Sequence, residues 1–462
     1  MSTTIYDIEA TGLEVTRDVP FQFGAHVLNS DHSLVRDLNL TGRLPRHVLP
    51  SPSALTVTGM KFSEIQKFPL SHHELVKRIH SFVVENSPTT FVSFNGMRYD
   101  ENVLRHAFYS NLLQPYVTQL SGSMRMDVLK VVHAAVACGD GSIKVPLNEK
   151  GKKSFKLEGL ARENGFNDHN AHDALGDVRA TEFIMNLVRD KSPDVWRACE
   201  RNRDKYQVQK MLESRRPLLK VDWNYFSGVP NVRVILPVVS DAENCNEWIC
   251  VNLNCDVMKL LEKGEVSLKA AFKWCNGVTP LITVKTNDMP LVFDLSDPAI
   301  RKLPAHYPRE VCEKILSDAG FASRLRVAGR LRKESYPPSE SVWDDLYSGG
   351  FFPTSDDVPV IKRFHKVRPD EKFDLISDLS DGRARTLALW LIGSEWPDVL
   401  PHSARSEYEA GLREHLMAEE AKWTTIPSAL RHIRELKVGA RARDLEILED
   451  YRYHLENMSS FA

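Results

Sequence analysis

The sequence has no hydrophobic run long enough to cross a membrane. Its longest apolar stretches, such as residues 387–392, fall far short of the roughly 20 residues that a transmembrane helix needs. The chain also lacks low-complexity tracts, and its first apolar run starts at residue 3, which leaves no room for a signal peptide. We therefore expect a globular, cytoplasmic protein without a membrane anchor.

The sequence also has few cysteines and almost no net charge. The 462 residues include seven cysteines, and Cys245, Cys250 and Cys255 are not spaced like the Cys-x2-Cys pairs of zinc sites. We therefore expect reduced, structural thiols, as is usual in a cytoplasm. The formal net charge is −2, which argues against a nucleic-acid-binding surface spread over the whole molecule.

Two segments are nevertheless basic. Residues 201–220 hold seven Lys and Arg against two acidic residues, and residues 301–334 hold nine against four, so each has an excess of five positive charges. A nearly neutral chain can therefore still present a basic track to phosphates. Each segment could equally be a solvated helix face, and the sequence leaves both interpretations open.

Four acidic residues and one histidine lie where regular elements end or begin. Asp7 and Glu9 end the first apolar run, and their side chains leave the same face of a strand because they are two residues apart. Asp100 follows the apolar run 90–94, whereas His172 and Asp177 lie at the start of a later helical pattern. Four carboxylates brought together would offer hard oxygen ligands, which suit Mg²⁺ or Mn²⁺ and not zinc.

These residues carry a resemblance to a known family. Residues 7–12 read Asp-x-Glu-x-Thr-Gly, a lone aspartate follows a strand at position 100, and residues 172–177 read His-x4-Asp. Together they resemble the DEDDh family of 3′→5′ exonucleases. Residues 92–100, 154–158 and 346–352 are similar to one branch of it, the bacterial exodeoxyribonuclease I family, and the similarity covers nearly the whole chain, more weakly after about residue 355.

The resemblance implies a catalytic role for each of the five residues. Asp7, Glu9 and Asp177 would hold one Mg²⁺ ion, and Asp7 would also bridge to a second. Asp100 would act on the second ion largely through water, although the sequence also allows it to be a helix N-cap. His172 would be the general base. Two Mg²⁺ ions are thus the expected cofactors, with Mn²⁺ as the expected substitute.

The resemblance also implies substrate and partner contacts. Contacts to single-stranded DNA fall on Glu9, Arg105, Tyr116 and Lys156. Lys156 stands where the family has arginine, so a phosphate contact is retained without bidentate geometry. Tyr116 could stack on a base or be a core or rim tyrosine. The expected protein partner is the acidic C-terminal tail of single-stranded-DNA-binding protein, and we expect a monomer.

Length and pattern predict an α/β protein of three domains. Residues 1–190 are expected to form the exonuclease domain with a ribonuclease H-like fold, in which three antiparallel strands precede a helix, a strand and a helix. Residues 195–345 should form an SH3-like β-rich domain, and residues 355–462 a helical domain. Residues 71–74 form a capping box, Asp173 is a predicted N-cap, and His72, His73 and His169 are expected to be solvated.

The leading hypothesis is a 3′→5′ exonuclease that releases 5′-mononucleotides from single-stranded DNA and acts in repair and recombination. An RNA-trimming exonuclease of the same fold is the first rival, and the long second half of the chain argues against it. The second rival is a non-catalytic scaffold that binds single strands, and the complete set of acidic residues and histidine argues against it.

Overall fold

The computed structural model describes residues 1–139, 141–167, 173–224, 227–273, 278–301, 309–333, 339, 341–347 and 356–461. In this part of the chain, no helix is long and apolar enough to span a bilayer. Two five-stranded sheets are present, and the last hundred residues are helical. The predicted fold class is confirmed.

The first sheet has the strand order β3-β2-β1-β4-β5. Its strands are β1 (Thr3–Ala10), β2 (Pro20–Leu28), β3 (Leu34–Thr41), β4 (Thr90–Ser93) and β5 (Met124–Asp127). β1 pairs antiparallel with β2, and β2 with β3, because only short turns connect them. β1 and β4, and then β4 and β5, pair parallel. The carboxyl ends of β1, β4 and β5 therefore meet at one edge of the sheet.

Helices cover both faces of this sheet. The helices between residues 52 and 213 are α1 (Pro52–Thr58), α2 (Phe62–Ile65), α3 (His72–Glu85), α4 (Asp100–Ser110), α5 (Val128–Cys138), α6 (Leu157–Glu163), α7 (Ala174–Lys191), α8 (Pro193–Asn202) and α9 (Lys205–Glu213), with a 3₁₀ turn at Val117–Gln119. The capping box before α3 is present, since the Ser71 side chain accepts from the Glu74 N–H. β1 is buried on both faces because α4 packs on one of them and α7 on the other.

The prediction that His72 and His73 are solvated is wrong, since both are buried. The His73 Nδ1 lies 2.8 Å from the Asn111 Oδ1, and its ring stacks on that of His365 from the C-terminal region. Burial lowers the pKa of His72 to about 4 and that of His73 to about 3. His169 lies outside the described residues.

The second sheet has the order β10-β6-β7-β8-β9, and all its pairs are antiparallel. It contains β6 (Leu218–Asn224), β7 (Val229–Ser240), β8 (Glu247–Asn252), β9 (Leu281–Lys285) and β10 (Val292–Asp294). Four helices accompany it: α10 (Met258–Leu261), α11 (Glu265–Ala270), α12 (Arg309–Ser317) and α13 (Ala319–Lys333). The β-rich, SH3-like character predicted for this part of the chain is confirmed.

The C-terminal region packs on the first domain. It contains α14 (Asp357–Phe364), α15 (Pro369–Lys372), α16 (Gly382–Glu395), α17 (His402–Met417), α18 (Ile426–Leu436) and α19 (Ala442–Phe461), with 3₁₀ turns at Val342–Asp344, Asp374–Ile376 and Pro397–Val399. Leu55 and Phe62 of the first domain belong to the same core as Leu412 and Leu416 of α17. This shared core joins the helical region to the domain that carries the acidic residues.

Candidate active site

Three carboxylates converge at the carboxyl end of the first sheet. Asp7 and Glu9 lie on β1, and Asp177 lies in the first turn of α7. One carboxylate oxygen from each lies within 4.8 Å of the others. The structure thus brings together the three predicted metal ligands, although their role as ligands stays a prediction.

The start of α7 is held against β2 by a close backbone approach. A Cβ added at Gly24 of β2 would lie 2.6 Å from the Ala174 carbonyl carbon, so only glycine permits this contact. Asp173 is the N-cap of α7, as predicted, and accepts from the Gly176 N–H at 3.2 Å. It also accepts from Gln22 Nε2 at 2.7 Å, and Gln22 pairs with Glu9 in the sheet. These contacts fix Asp177 beside β1.

Asp100 reaches the same site from another element. It is the first residue of α4, and Tyr99 is the N-cap, so the alternative in which Asp100 caps the helix is wrong. A Cβ at Gly96 would lie 2.4 Å from Asp100 Oδ2, which means that the carboxylate packs directly over Gly96. We call Asp7, Glu9, Asp100 and Asp177 the acidic cluster.

The charges that act most strongly on Asp7, Glu9 and Asp100 are those of other carboxylates. Burial first, and then the charges of Asp100, Asp177 and Glu9, raise the pKa of Asp7 well above its ordinary value. Burial and the neighbouring carboxylates raise the pKa of Glu9 to about 8, and burial, followed by the charge of Asp127, raises that of Asp100 to about 8. Converging oxygen ligands that repel one another fit divalent cations, which would relieve the repulsion.

Hydrogen bonds that involve Thr11 and Gly12 fix the loop after β1. Thr11 Oγ1 donates to Asp18 Oδ1 at 2.7 Å and accepts from the Val19 N–H at 3.0 Å. The Tyr99 hydroxyl donates to the Gly12 carbonyl, which ties this loop to the residue before Asp100. The Thr-Gly pair of the motif therefore shapes the wall of the site.

The remaining predicted catalytic residue, His172, lies outside the described residues. Its neighbour Asp173 is described and caps α7, whose first turn carries Asp177. The role of His172 as general base stays a prediction.

The predicted substrate contacts lie in separate places. Arg105 NH2 is paired with Glu101 Oε1 at 2.8 Å, and its guanidinium lies 5.4 Å from the centre of the Tyr116 ring. Glu101 also accepts from Tyr6 and Thr118 and lies 3.4 Å from Arg125 NH1. We call Glu101 and its partners Tyr6, Arg105, Thr118 and Arg125 the Glu101 cluster. Lys156 is exposed at the N-terminus of α6.

Sequence reasoning missed Asp127, which is buried at the end of β5. Its Oδ1 accepts from the N–H groups of Asn95 and Leu129, at 2.9 and 3.0 Å. Its charge contributes to the raised pKa of Asp100. Its strand is short and contains Arg125 between two methionines, so the sequence lacks the apolar run that singled out Glu9 and Asp100.

The basic segment 201–220 is partly neutralised. Arg201 pairs with Asp297, Arg203 with Glu200 and Lys220 with Asp222. Arg215 and Arg216 are exposed, and neither makes an ion pair within the part of the chain that the structure describes. Lys205 and Lys210 on α9 are likewise exposed without an ion pair among the described residues, so the remaining positive charge of this segment lies along α9 and the turn into β6.

Comparisons with known proteins give a consistent result. The family model described as "Exonuclease I SH3-like domain" matches residues 203–298. Exodeoxyribonuclease I of Haemophilus influenzae is 29% identical over 373 residues, which cover 76% of this chain and 77% of that protein. The E. coli protein of the same name is 28% identical over 363 residues, which cover 75% and 76%.

Solved structures extend the similarity to the full length. Exonuclease I from Methylocaldum szegediense matches with a TM-score of 0.86 at 26% identity, over 99% of both chains. E. coli Exonuclease I in complex with a dA16 oligonucleotide matches with a TM-score of 0.84 at 23% identity, over 99% of both. The same fold has been solved in a zinc-bound E. coli complex with single-stranded DNA and in an ExoI/SSB-Ct complex. The resemblance to exonuclease I found in the motifs is confirmed.

Proposed function

We propose that this chain, which resembles exonuclease I over nearly its whole length, is a 3′→5′ exonuclease that degrades single-stranded DNA to 5′-mononucleotides. The observation that carries the proposal is the convergence of Asp7, Glu9 and Asp177 beside Asp100 in one buried acidic cluster. Such a cluster destabilises the fold unless a bound cation offsets the repulsion, so its presence favours a catalytic role over a structural one.

The carboxylates would hold two Mg²⁺ ions, with Mn²⁺ as a substitute. When bound, such ions supply charge relief at the phosphate, acidify a water molecule and stabilise the leaving oxygen. Asp7 and Glu9 on β1 and Asp177 on α7 would bind and orient the ions, while Asp100 would act on them from the start of α4. His172 would accept the proton of the attacking water near neutral pH. The walls formed by the loop after β1 and by Gly96 would position the 3′-terminal nucleotide.

Single-stranded DNA is the proposed substrate because structural relatives have been solved with oligonucleotides. Tyr116 lies beside Arg105 and could stack on a base. Arg105 itself forms an internal ion pair with Glu101, so we assign it a weaker part in phosphate binding than Lys156, which is exposed. Roles in DNA repair and recombination follow from this activity.

The proposed protein partner is the acidic C-terminal tail of single-stranded-DNA-binding protein, because a relative has been solved as an ExoI/SSB-Ct complex. An acidic tail requires a basic surface, and the segments 201–220 and 301–334 are the basic parts of the sequence. We also propose that the chain acts as a monomer with three domains at 1–190, 195–345 and 355–462.

The test is a degradation assay with end-labelled single-stranded DNA, duplex DNA and RNA, each with Mg²⁺ or EDTA. The expected result is Mg²⁺-dependent release of 5′-mononucleotides from the 3′ end of single-stranded DNA. Faster degradation of RNA would favour the RNA-trimming alternative. Binding of single strands without any cleavage, in Mg²⁺ and in Mn²⁺, would favour a non-catalytic scaffold. Asp177→Asn is the matched control, because it preserves the side-chain shape and removes one ligand charge.

A further inference from the structure

The SH3-like domain contacts the nuclease domain at the junction of β5 and α5. Residues 287–289 form a turn between β9 and β10, and this turn lies against the junction of β5 and α5. Arg125 NH2 donates to the Asn287 carbonyl at 2.8 Å, and Lys130 Nζ donates to the Asp288 carbonyl at 2.5 Å. The Asp127 N–H points at the Met289 sulfur at 3.3 Å. Three consecutive residues of one domain thus bind three positions of the other.

This contact is a rigid one. Met289 is buried and has a φ of +44°, a conformation that costs a non-glycine residue free energy and persists only where the surroundings impose it. Met289 shares a hydrophobic core with Val128 and Val131 of α5 and with Phe293 of β10. A continuous core between two domains resists sliding, so the position of the turn and that of the β5–α5 junction are linked.

The junction in turn holds the loop that carries Asp100. The Asp127 carboxylate accepts the Asn95 N–H at 2.9 Å, and Asn95 has a φ of +62°. This left-handed residue turns the chain out of β4 into Gly96, over which the Asp100 carboxylate packs. The Gly96 carbonyl accepts from the N–H groups of Tyr99 and Glu101 at 3.2 and 2.9 Å, on either side of Asp100. A chain of direct contacts therefore runs from Asp127 through Asn95 and Gly96 to Asp100.

From these contacts we infer that the 287–289 turn of the SH3-like domain positions Asp100, acting through Lys130 and Asp127. Asp127 is thus a positioning residue, and it holds the loop of the carboxylate that completes the acidic cluster. The inference rests on the proposed function in that Asp100 is taken to serve a metal-dependent nuclease site. It gives the SH3-like domain a part in forming the catalytic site, in addition to any part in binding DNA.

The test compares three variants of the full-length protein. Asp127→Ala removes the acceptor for Asn95, Asp127→Asn retains an oxygen acceptor there, and Lys130→Met removes one contact to the turn while leaving the nuclease domain's own hydrogen bonds in place. Lys144→Met is the control, because Lys144 is an exposed lysine of the same domain whose ammonium makes no ion pair among the described residues. Each protein is measured for kcat and KM on a trinucleotide, for the Mg²⁺ concentration at half-maximal rate, and for Mn²⁺ binding by electron paramagnetic resonance.

Residues that orient metal ligands typically change activity or metal affinity by about 10–100-fold, and we expect Asp127→Ala to lower kcat and weaken Mn²⁺ binding within that range. Lys130→Met should produce a smaller change in the same direction, about 3–10-fold, because two contacts to the turn remain. KM should change little. Asp127→Asn should recover most of the loss, and Lys144→Met should match the wild type.

Wild-type kcat and Mn²⁺ binding in Asp127→Ala would overturn the inference. So would an Asp127→Asn variant as defective as Asp127→Ala, or a rate loss that only follows the folded fraction measured by circular dichroism. If Asp127→Ala fails to fold, Lys130→Met alone decides the question. If the wild type cleaves nothing, the proposed function fails, whereas the Mn²⁺-binding comparison still tests the positioning role.

Discussion

Asp100 and Glu101 are neighbours in the sequence, yet their carboxylates lie in opposite electrostatic environments. Asp100 belongs to the acidic cluster, where burial and nearby carboxylates raise its pKa to about 8. Glu101 is also buried, but the charges of Arg125 and Arg105 outweigh that burial and lower its pKa. The same first turn of α4 therefore presents one uncompensated and one compensated carboxylate.

The same contrast appears on β1. Asp7 points into the acidic cluster, and Tyr6, on the opposite face of the strand, donates to Glu101 Oε2 at 3.1 Å. A buried carboxylate with cationic and hydroxyl partners stabilises its surroundings, whereas removing the partners would leave a costly charge. We therefore infer that the Glu101 cluster holds α4 in place and that the acidic cluster binds a cation.

The largest expected effect comes from removing a member of the acidic cluster. Asp7→Ala or Asp177→Ala should lower the Mg²⁺-dependent rate by about 10³-fold or more, if one ligand is worth about 4 kcal/mol of transition-state stabilisation. Neither change should reduce stability in EDTA, because each removes a repelling charge. Single-turnover rates and urea unfolding check both points. Near-normal rates at saturating Mg²⁺ would remove these residues from the metal site.

The next largest effect is expected for His172→Ala. A positioned general base contributes about 10²–10⁴-fold, so turnover should fall by that factor. Mn²⁺ affinity should be unchanged, because the imidazole is not assigned as a ligand. The check is a rate measurement paired with Mn²⁺ titration by electron paramagnetic resonance. If affinity and rate fell together, His172 would be a ligand or a structural residue.

Substitutions in the Glu101 cluster should reduce the stability of the protein, unlike those in the acidic cluster. Glu101→Ala leaves Arg105 and Arg125 without their buried partner, which typically costs about 3–5 kcal/mol of unfolding free energy. The isosteric Glu101→Gln keeps the hydrogen-bond acceptor and should cost less. Urea unfolding in EDTA separates the two variants. Unchanged stability in Glu101→Ala would show that the cluster does not hold α4.

The smallest effect is expected at the exposed arginines. Each phosphate contact on a single strand contributes about −0.7 to the slope of log affinity against log salt, so Arg215→Glu with Arg216→Glu should flatten the slope by about 1.4. Binding of long oligonucleotides should weaken, and cleavage of a trinucleotide should be spared. Affinity is measured as a function of salt concentration for a long oligonucleotide and for a trinucleotide. The same slope in both proteins would make these arginines a solvated face.

Sequence patterns predict the first four strands of the first sheet and the acidic residues at the ends of β1 and β4, because strand ends and side-chain alternation are local properties. The environments of Asp100 and Glu101 are not local. Glu101 meets Tyr6, 95 residues away, and Arg125, 24 residues away. The burial of His73 likewise depends on the C-terminal helices, since its N–H donates to Glu395 Oε1 across 322 residues. Such pairings follow from tertiary packing alone.

We infer that a bound cation offsets the mutual repulsion of the carboxylates in the acidic cluster. Glu9 and Asp100 have folded pKa values of about 8, whereas unfolded carboxyls ionise near pH 4, so the folded state holds protons that the unfolded state has lost and stability falls as pH rises. Buried histidines such as His72 and His73 have the opposite sign, because their folded pKa values are depressed, and their contribution is complete only about one pH unit above the unfolded pKa of about 6.5. This contribution is the same with and without Mg²⁺, so the difference between the two conditions from pH 6.5 to 8 isolates the carboxylates.

The most direct test is the free energy of unfolding in urea between pH 6.5 and 8, measured in EDTA and in Mg²⁺. In EDTA, relative to saturating Mg²⁺, it should fall by about 3 kcal/mol, at up to about 1.4 kcal/mol per pH unit for each of Glu9 and Asp100. In saturating Mg²⁺ the fall should disappear, because the cation takes the place of the protons. An identical pH dependence in EDTA and in Mg²⁺ would contradict the account.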